Sequence, residues 1–276
     1  MKNNRYKILV LSDLKSTTET TLKSTVGLAK MVGGEIHFFH VKKPTDVVKR
    51  ENQLSAIRTI NHDHISTEKK IQNMVDSISE TYDTNIKYSF TFGNVKNEIE
   101  NHIKSLNPDI IVLGKRKPKG LKLLGDSITH FVLKKHTGPI MIAADKNAIE
   151  PNKVLSLGLM NGSEESFNME FANDLMEHVQ KPLKSFKVIK RSVPSSVNSE
   201  KAKDNKTVEY VFEHRDDTTQ NLSNYLSKSN INLLCIDRNF RQEKSKTNLI
   251  MTDLKEAMNK FNVSLLLTGG RKLMID

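Results

Sequence analysis

The residues best suited to do chemistry follow a short apolar run. Asp109 to Leu113 (DIIVL) leads into Gly114, then into Lys115, Arg116, Lys117, Lys119 and Lys122, with Gly120, Gly125, Asp126 and Ser127 completing the stretch. Glycines let backbone N–H groups turn toward a bound anion. Lys and Arg add point charge, and a serine at a helix start offers a hydroxyl. The chemistry implied is phosphate binding. Each position also has a structural alternative: tight turns at Gly114 and Gly120, and an ordinary helix cap at Ser127. Asp126 is the only carboxylate in the stretch, a thin basis for phosphoryl transfer.

Other chemistry-bearing residues do not assemble. His62 and His64 stand two apart in a helical segment and face different ways, and His37 and His40 fall on opposite faces of a strand. We assign no catalytic residue and no metal ligand, because no nucleophile, base and orienting group converge. The one cysteine, Cys235, is mid-strand and excludes an internal disulfide.

The elements that must position the glycine- and lysine-rich stretch alternate. Lys7 to Ser12 (KILVLS) reads as a buried strand, Ser16 to Val32 as a helix ended by Gly33-Gly34, and Glu35 to Val41 as a second strand. A long helix is expected from Gln53 to Tyr82, then a strand over Asn85 to Phe92, a helix over Val95 to Leu106, the strand Asp109 to Leu113, a helix over Ser127 to Lys135 and a strand over Ile140 to Ala144. Such alternation predicts a parallel sheet with helices on both faces and a ligand crevice beyond the strands' carboxyl ends. Asp13, Val41, Gly93 and the stretch from Gly114 to Ser127 all lie there.

A weaker repeat follows. Strands are expected at Lys153 to Met160, Lys184 to Lys190, Val208 to Glu213, Asn232 to Asp237 and Val263 to Leu267, with helices over Glu164 to Val179, Thr218 to Ser227 and Leu249 to Phe261. Ser192 to Lys206 reads as a loop, and one long helix of the first half has no counterpart. The fold class is thus α/β: two tandem Rossmann-like domains of about five strands each, residues 1–146 and 147–276, with helices on both faces.

The first half resembles the universal stress protein family. The resemblance rests on ILVLSD, LAKMVGGEIHFFHV, TFGNVKNEI and DIIVLGKRKPKGLKLLGDSITHFVLKKHTGPIMIA, from Lys7 to Ala144. In the second half it is faint and rests on element order and NINLLCIDR. Nucleotide-binding members carry G-x2-G-x9-G-[ST] after the fourth strand. Here Gly114 matches the first glycine, Lys117 stands at the second, and Gly125 comes two residues before the third. The resemblance implies a nucleotide site made of Asp13 near the adenine or ribose, Val41 presenting backbone to the adenine edge, and Gly114, Lys115, Gly120, Gly125 and Ser127 around the phosphates. The implied cofactor is ATP with Mg²⁺. In the second half the equivalent stretch, Arg238 to Asn248, contains no glycine, so no nucleotide is expected there.

Composition narrows the classes. Net charge is +11, but the lysines are scattered among acids, aromatics are 6% and tryptophan is absent. A base-stacking nucleic-acid module is therefore not expected. No apolar run reaches the roughly 20 residues of a membrane span, and the polar start from Met1 to Tyr6 lacks a signal-peptide core. A cytoplasmic protein is expected. The reading is a non-catalytic stress-response protein of tandem universal stress type, holding ATP or a related nucleotide in its first half. The alternatives are an interaction or scaffold protein with a decayed site, and a weak nucleotide hydrolase. Ile140 to Ala144 and Val263 to Leu267 end their halves and are expected to pair, with Met141 facing the other half, as an intramolecular pseudo-dimer. A homodimer stays open.

Overall fold

The computed structural model describes residues 5–43, 53–116, 128–160, 171–189, 207–213, 215, 217–238 and 258–269, with side chains from residue 57 onward in the second stretch. The first half runs β1 (Tyr6–Ser12), α1 (Thr18–Val32), β2 (Gly34–Lys42), α2 (Gln53–Tyr82), β3 (Ile86–Phe92), α3 (Val95–Leu106), β4 (Ile110–Gly114), α4 (Ile128–Lys135) and β5 (Ile140–Ala143). The second half runs β6 (Leu157–Met160), α5 (Ala172–Met176), β7 (Leu183–Ile189), β8 (Thr207–Glu213), α6 (Thr218–Lys228), β9 (Leu233–Asp237) and β10 (Ser264–Thr268).

Local chemistry explains where the elements stop. Gly33 takes a left-handed φ of 69° after α1, and its N–H bonds the Ala29 carbonyl. Asn94 caps α3, its side chain accepting from the N–H groups of Lys96 and Asn97. Asn107 closes the same helix in the left-handed region, and Pro108 bars its continuation. The expected strand over Lys153 to Met160 is shorter than its apolar pattern. Leu155 instead exchanges backbone hydrogen bonds with His178 and Gln180, and sheet pairing begins at Leu157. The expected loop over Ser192 to Lys206 lies outside the described residues, as do the first parts of the helices expected from Glu164 and Leu249.

The ten described strands form one sheet in the order β3-β2-β1-β4-β5-β10-β9-β6-β7-β8. Pairing is parallel throughout except at the centre, where β5 and β10 run antiparallel, with Met141 opposite Leu266. The order outward from the centre is the same on both sides. Successive strand residues point to opposite faces, which builds two cores. Ile8, Val10, Ile110, Val112, Met141, Leu233 and Leu266 join α1 and part of α2 on one face. Leu9, Leu11, Ile111, Leu113, Ile140, Leu234 and Leu265 join α3, α4 and α6 on the other. Each core is continuous across the central pair.

Two cations lock that centre reciprocally. Lys115, the first residue after β4, donates its N–H to the Ala143 carbonyl and its Nζ to the Phe261 carbonyl, just ahead of β10. Arg238, the first residue after β9, donates its N–H to the Thr268 carbonyl. Its guanidinium reaches the carbonyls of His136, Thr137 and Gly138, just ahead of β5. The fold thereby exposes the carboxyl ends of β1, β2 and β4 on one rim, and the site is built there.

Candidate functional site

A cavity of about 1100 Å³ opens beyond β1, β2 and β4, between α1, α2 and the start of α3. Its floor is apolar: Leu11, Phe39, Val41, Ile99 and Leu113. Its walls carry hydroxyls from Ser12, Thr17, Thr18, Thr21, Ser66, Thr67 and Thr129. Among the described residues six cationic side chains line it, Lys15, Lys42, Lys43, Lys70, Lys96 and Arg116, against one carboxylate, Asp13. An apolar floor with convergent polar groups suits a small molecule, and the charge balance selects an anion.

The turn after β1 is tightly held. Asp13 Oδ1 accepts from the Lys15 N–H at 3.2 Å, an Asx turn, and its other oxygen pairs with Arg116 at 3.3 Å and Lys15 at 3.6 Å. Ser12 Oγ accepts from the Leu14 N–H at 3.0 Å and meets the Thr18 hydroxyl at 3.0 Å. Leu14 itself sits at φ 55°, a left-handed conformation costly for a branched residue and fixed by its surroundings. Lys70, from α2, donates to the Leu14 carbonyl at 3.0 Å. Lys42 is held by Asp63 at 2.9 Å and by the Thr67 hydroxyl at 3.2 Å. His40 is buried with Nδ1 2.9 Å from the Ser12 carbonyl, and burial holds its pKa below the usual histidine range.

Of the residues implied by resemblance, Asp13, Val41 and Gly114 come together on this cavity. Gly114 is the last residue of β4, paired with Ala143. A Cβ there would lie 2.6 Å from Thr21 Oγ1, so the absence of a side chain admits α1 as well as opening the cavity. Lys115 departs from the expectation of a phosphate contact. It is not among the lining residues, because its ammonium turns away to the Phe261 carbonyl. Burial there pushes its pKa down, with Asp145 opposing. Gly120, Gly125 and Ser127, with Lys117 and Asp126, lie outside the described residues.

Thr17, Thr21, His40, Lys42, Lys70 and Asn94 were not singled out by the sequence as a site. Asn94 carried a signal, since a glycine-asparagine pair between a strand and a helix marks a cap at the carboxyl end of a strand. Lys70 and Lys42 carried none, because a lysine on a long polar helix reads like any solvated residue. In the second half, Arg238 occupies the position equivalent to Lys115 and is likewise turned into the central pair.

The implied Mg²⁺ does not fit the described donor set. Such sites hold Mg²⁺ through one or two carboxylates plus phosphate oxygens. Here Asp13, the sole described carboxylate of the lining, has both oxygens engaged by cations or backbone. Among the described residues no group of three His, Cys, Asp or Glu side chains is placed to hold a metal ion. No described helix is long and apolar enough to cross a membrane.

Residues 5–144 match the sequence profile of the universal stress protein family. No curated protein matches the chain by sequence. Among solved structures, a universal stress protein from Archaeoglobus fulgidus DSM 4304 superposes with a TM-score of 0.64 at 14% identity, covering 96% of each chain. A functionally unknown protein from Pseudomonas aeruginosa PAO1 gives 0.56 at 10% identity, covering 96% of this chain and 92% of its own. A second Pseudomonas aeruginosa structure, from strain UCBPP-PA14, gives 0.54 at 10% identity, covering 95% of this chain and 92% of its own. These likenesses extend the shared fold over both halves.

Proposed function

The chain belongs to the universal stress protein family, and on that premise we propose that it is a non-catalytic, nucleotide-binding stress-response protein of tandem type. Residues 1–146 form the domain that holds ATP or a related nucleotide, and residues 147–276 form its degenerate structural partner. The observation that carries this reading is the cavity of about 1100 Å³ beyond β1, β2 and β4, where among the described residues six cations face a single carboxylate. The apolar floor at Leu11, Phe39, Val41 and Leu113 accepts a base, and Lys15, Lys70, Lys96 and Arg116 supply charge for phosphates. The antiparallel pairing of β5 with β10 supports an intramolecular pseudo-dimer. In that arrangement the second half covers the edge strand that the first would otherwise expose.

The test is direct. The purified full chain is denatured and the released small molecules are identified by mass. A purine nucleotide, or saturable uptake of added ATP, supports the reading. Release of none, together with no binding at millimolar ATP, would leave an interaction protein with a decayed site.

A further inference from the structure

The charge balance of the cavity separates two forms of the same ligand. Free ATP and its Mg²⁺ complex differ by about two charges on the phosphates, and a cationic site discriminates between them by Coulomb attraction alone. With Lys42 paired to Asp63, the cations Lys15, Lys43, Lys70, Lys96 and Arg116 provide positive charge of the kind that Mg²⁺ provides at carboxylate-bearing nucleotide sites. Asp13, the only carboxylate among the described residues lining the cavity, is bridged to Arg116 and Lys15 and folded into the backbone turn through the Lys15 N–H. Coordinating a metal there would break both ion pairs and set a dication among ammonium groups.

We infer that this site takes its phosphorylated ligand without a divalent metal, the protein's own lysines and Arg116 replacing the ion. The inference rests on the nucleotide reading above and names the form of the nucleotide bound. Lys70 has a particular part. Its Nζ is anchored on the Leu14 carbonyl at 3.0 Å, so it stands at the cavity wall in a fixed position. A pre-positioned ammonium loses less freedom when a phosphate arrives than a solvated one does.

The experiment is calorimetric titration of the full-length chain with ATP at one ionic strength, once in EDTA and once in excess MgCl₂. Binding is expected in EDTA and weaker by about tenfold in Mg²⁺, as loss of two ligand charges implies at a partly screened site. Lys70→Gln is expected to weaken binding severalfold in EDTA and to narrow the gap between the two buffers. Asp126→Asn, at the carboxylate outside the described residues, is expected to bind at least as tightly as the parent in both. Equal or tighter binding in Mg²⁺, or loss of binding in Asp126→Asn, overturns the inference while leaving nucleotide binding in place. No binding in either buffer overturns the nucleotide reading itself.

Discussion

Gly114 shows how one residue can look like a ligand contact and serve packing as well. Thr21 Oγ1 lies 2.6 Å from where its Cβ would stand, and Thr21 is buried and bonded to the Thr17 carbonyl at 2.8 Å, so it has little room to yield. Gly114→Val is therefore expected to lower stability by about 1–3 kcal/mol, the usual cost of overpacking, visible as a lower midpoint in urea. Buried and half-buried histidines contribute to the pH response. Burial holds His40, His102, His130 and His136 below their ordinary pKa, His136 down to about 4, with the nearby Arg238 charge adding to the effect there. A depressed histidine pKa means that the unfolded chain takes the proton first. Stability is then lost as pH falls below about 6.5, and the His136 share is complete near 4. That share is of order 3 kcal/mol, and His136→Gln should flatten the slope in this window by about 1.4 kcal/mol per pH unit in urea titrations. A slope identical to the parent's would show that His136 is not the group responsible.

At the scale of elements, α1 bridges the first half to the segment that leads into the second. Ser24 Oγ accepts from the Ile149 N–H at 3.1 Å, Lys23 pairs with Glu150 at 2.8 Å, and Gly27 faces the Ile149 carbonyl, where a Cβ would come within 2.7 Å. Replacing a helical glycine by alanine ordinarily gains up to about 1 kcal/mol. Here backbone must move, so Gly27→Ala is expected to destabilise, and a rise in the thermal midpoint would refute this packing. The alternation of strands and helices was legible in the sequence, because parallel strands buried on both faces read as apolar runs such as KILVLS and DIIVL. So was the capping at Gly33. The polar walls of the cavity were not legible. Lys70, Ser66 and Thr67 reach it from α2, more than fifty residues after β1, and nothing local distinguishes them from a solvated face. The withdrawal of Lys115 was hidden for the same reason, since its acceptor is the carbonyl of Phe261, 146 residues away.

Across the whole molecule, the two halves share one sheet and two continuous cores, so they are expected to unfold together. Arg238 tests the coupling. Its guanidinium serves carbonyls of His136, Thr137, Gly138 and Thr268, and burial lowers its pKa despite the opposing charge of Asp237. Arg238→Ala would strand several carbonyls and is expected to cost about 2–3 kcal/mol, with Arg238→Lys restoring little because an ammonium lacks the planar fork. An unchanged urea midpoint would mean that the central β5–β10 pairing holds without the clamp. The functional asymmetry follows from the same architecture. The carboxyl ends of β1, β2 and β4 frame a cationic cavity, whereas the corresponding stretch after β9 has no glycine and begins with an arginine turned into the central pair. The most direct measurement is the stoichiometry of ATP binding to the full chain at equilibrium, taken in both metal-free and Mg²⁺-containing buffer. One saturable site per chain, weakened by Lys70→Gln, is the expected result. No saturable site at millimolar ATP in either buffer, or two equivalent sites per chain, would contradict it.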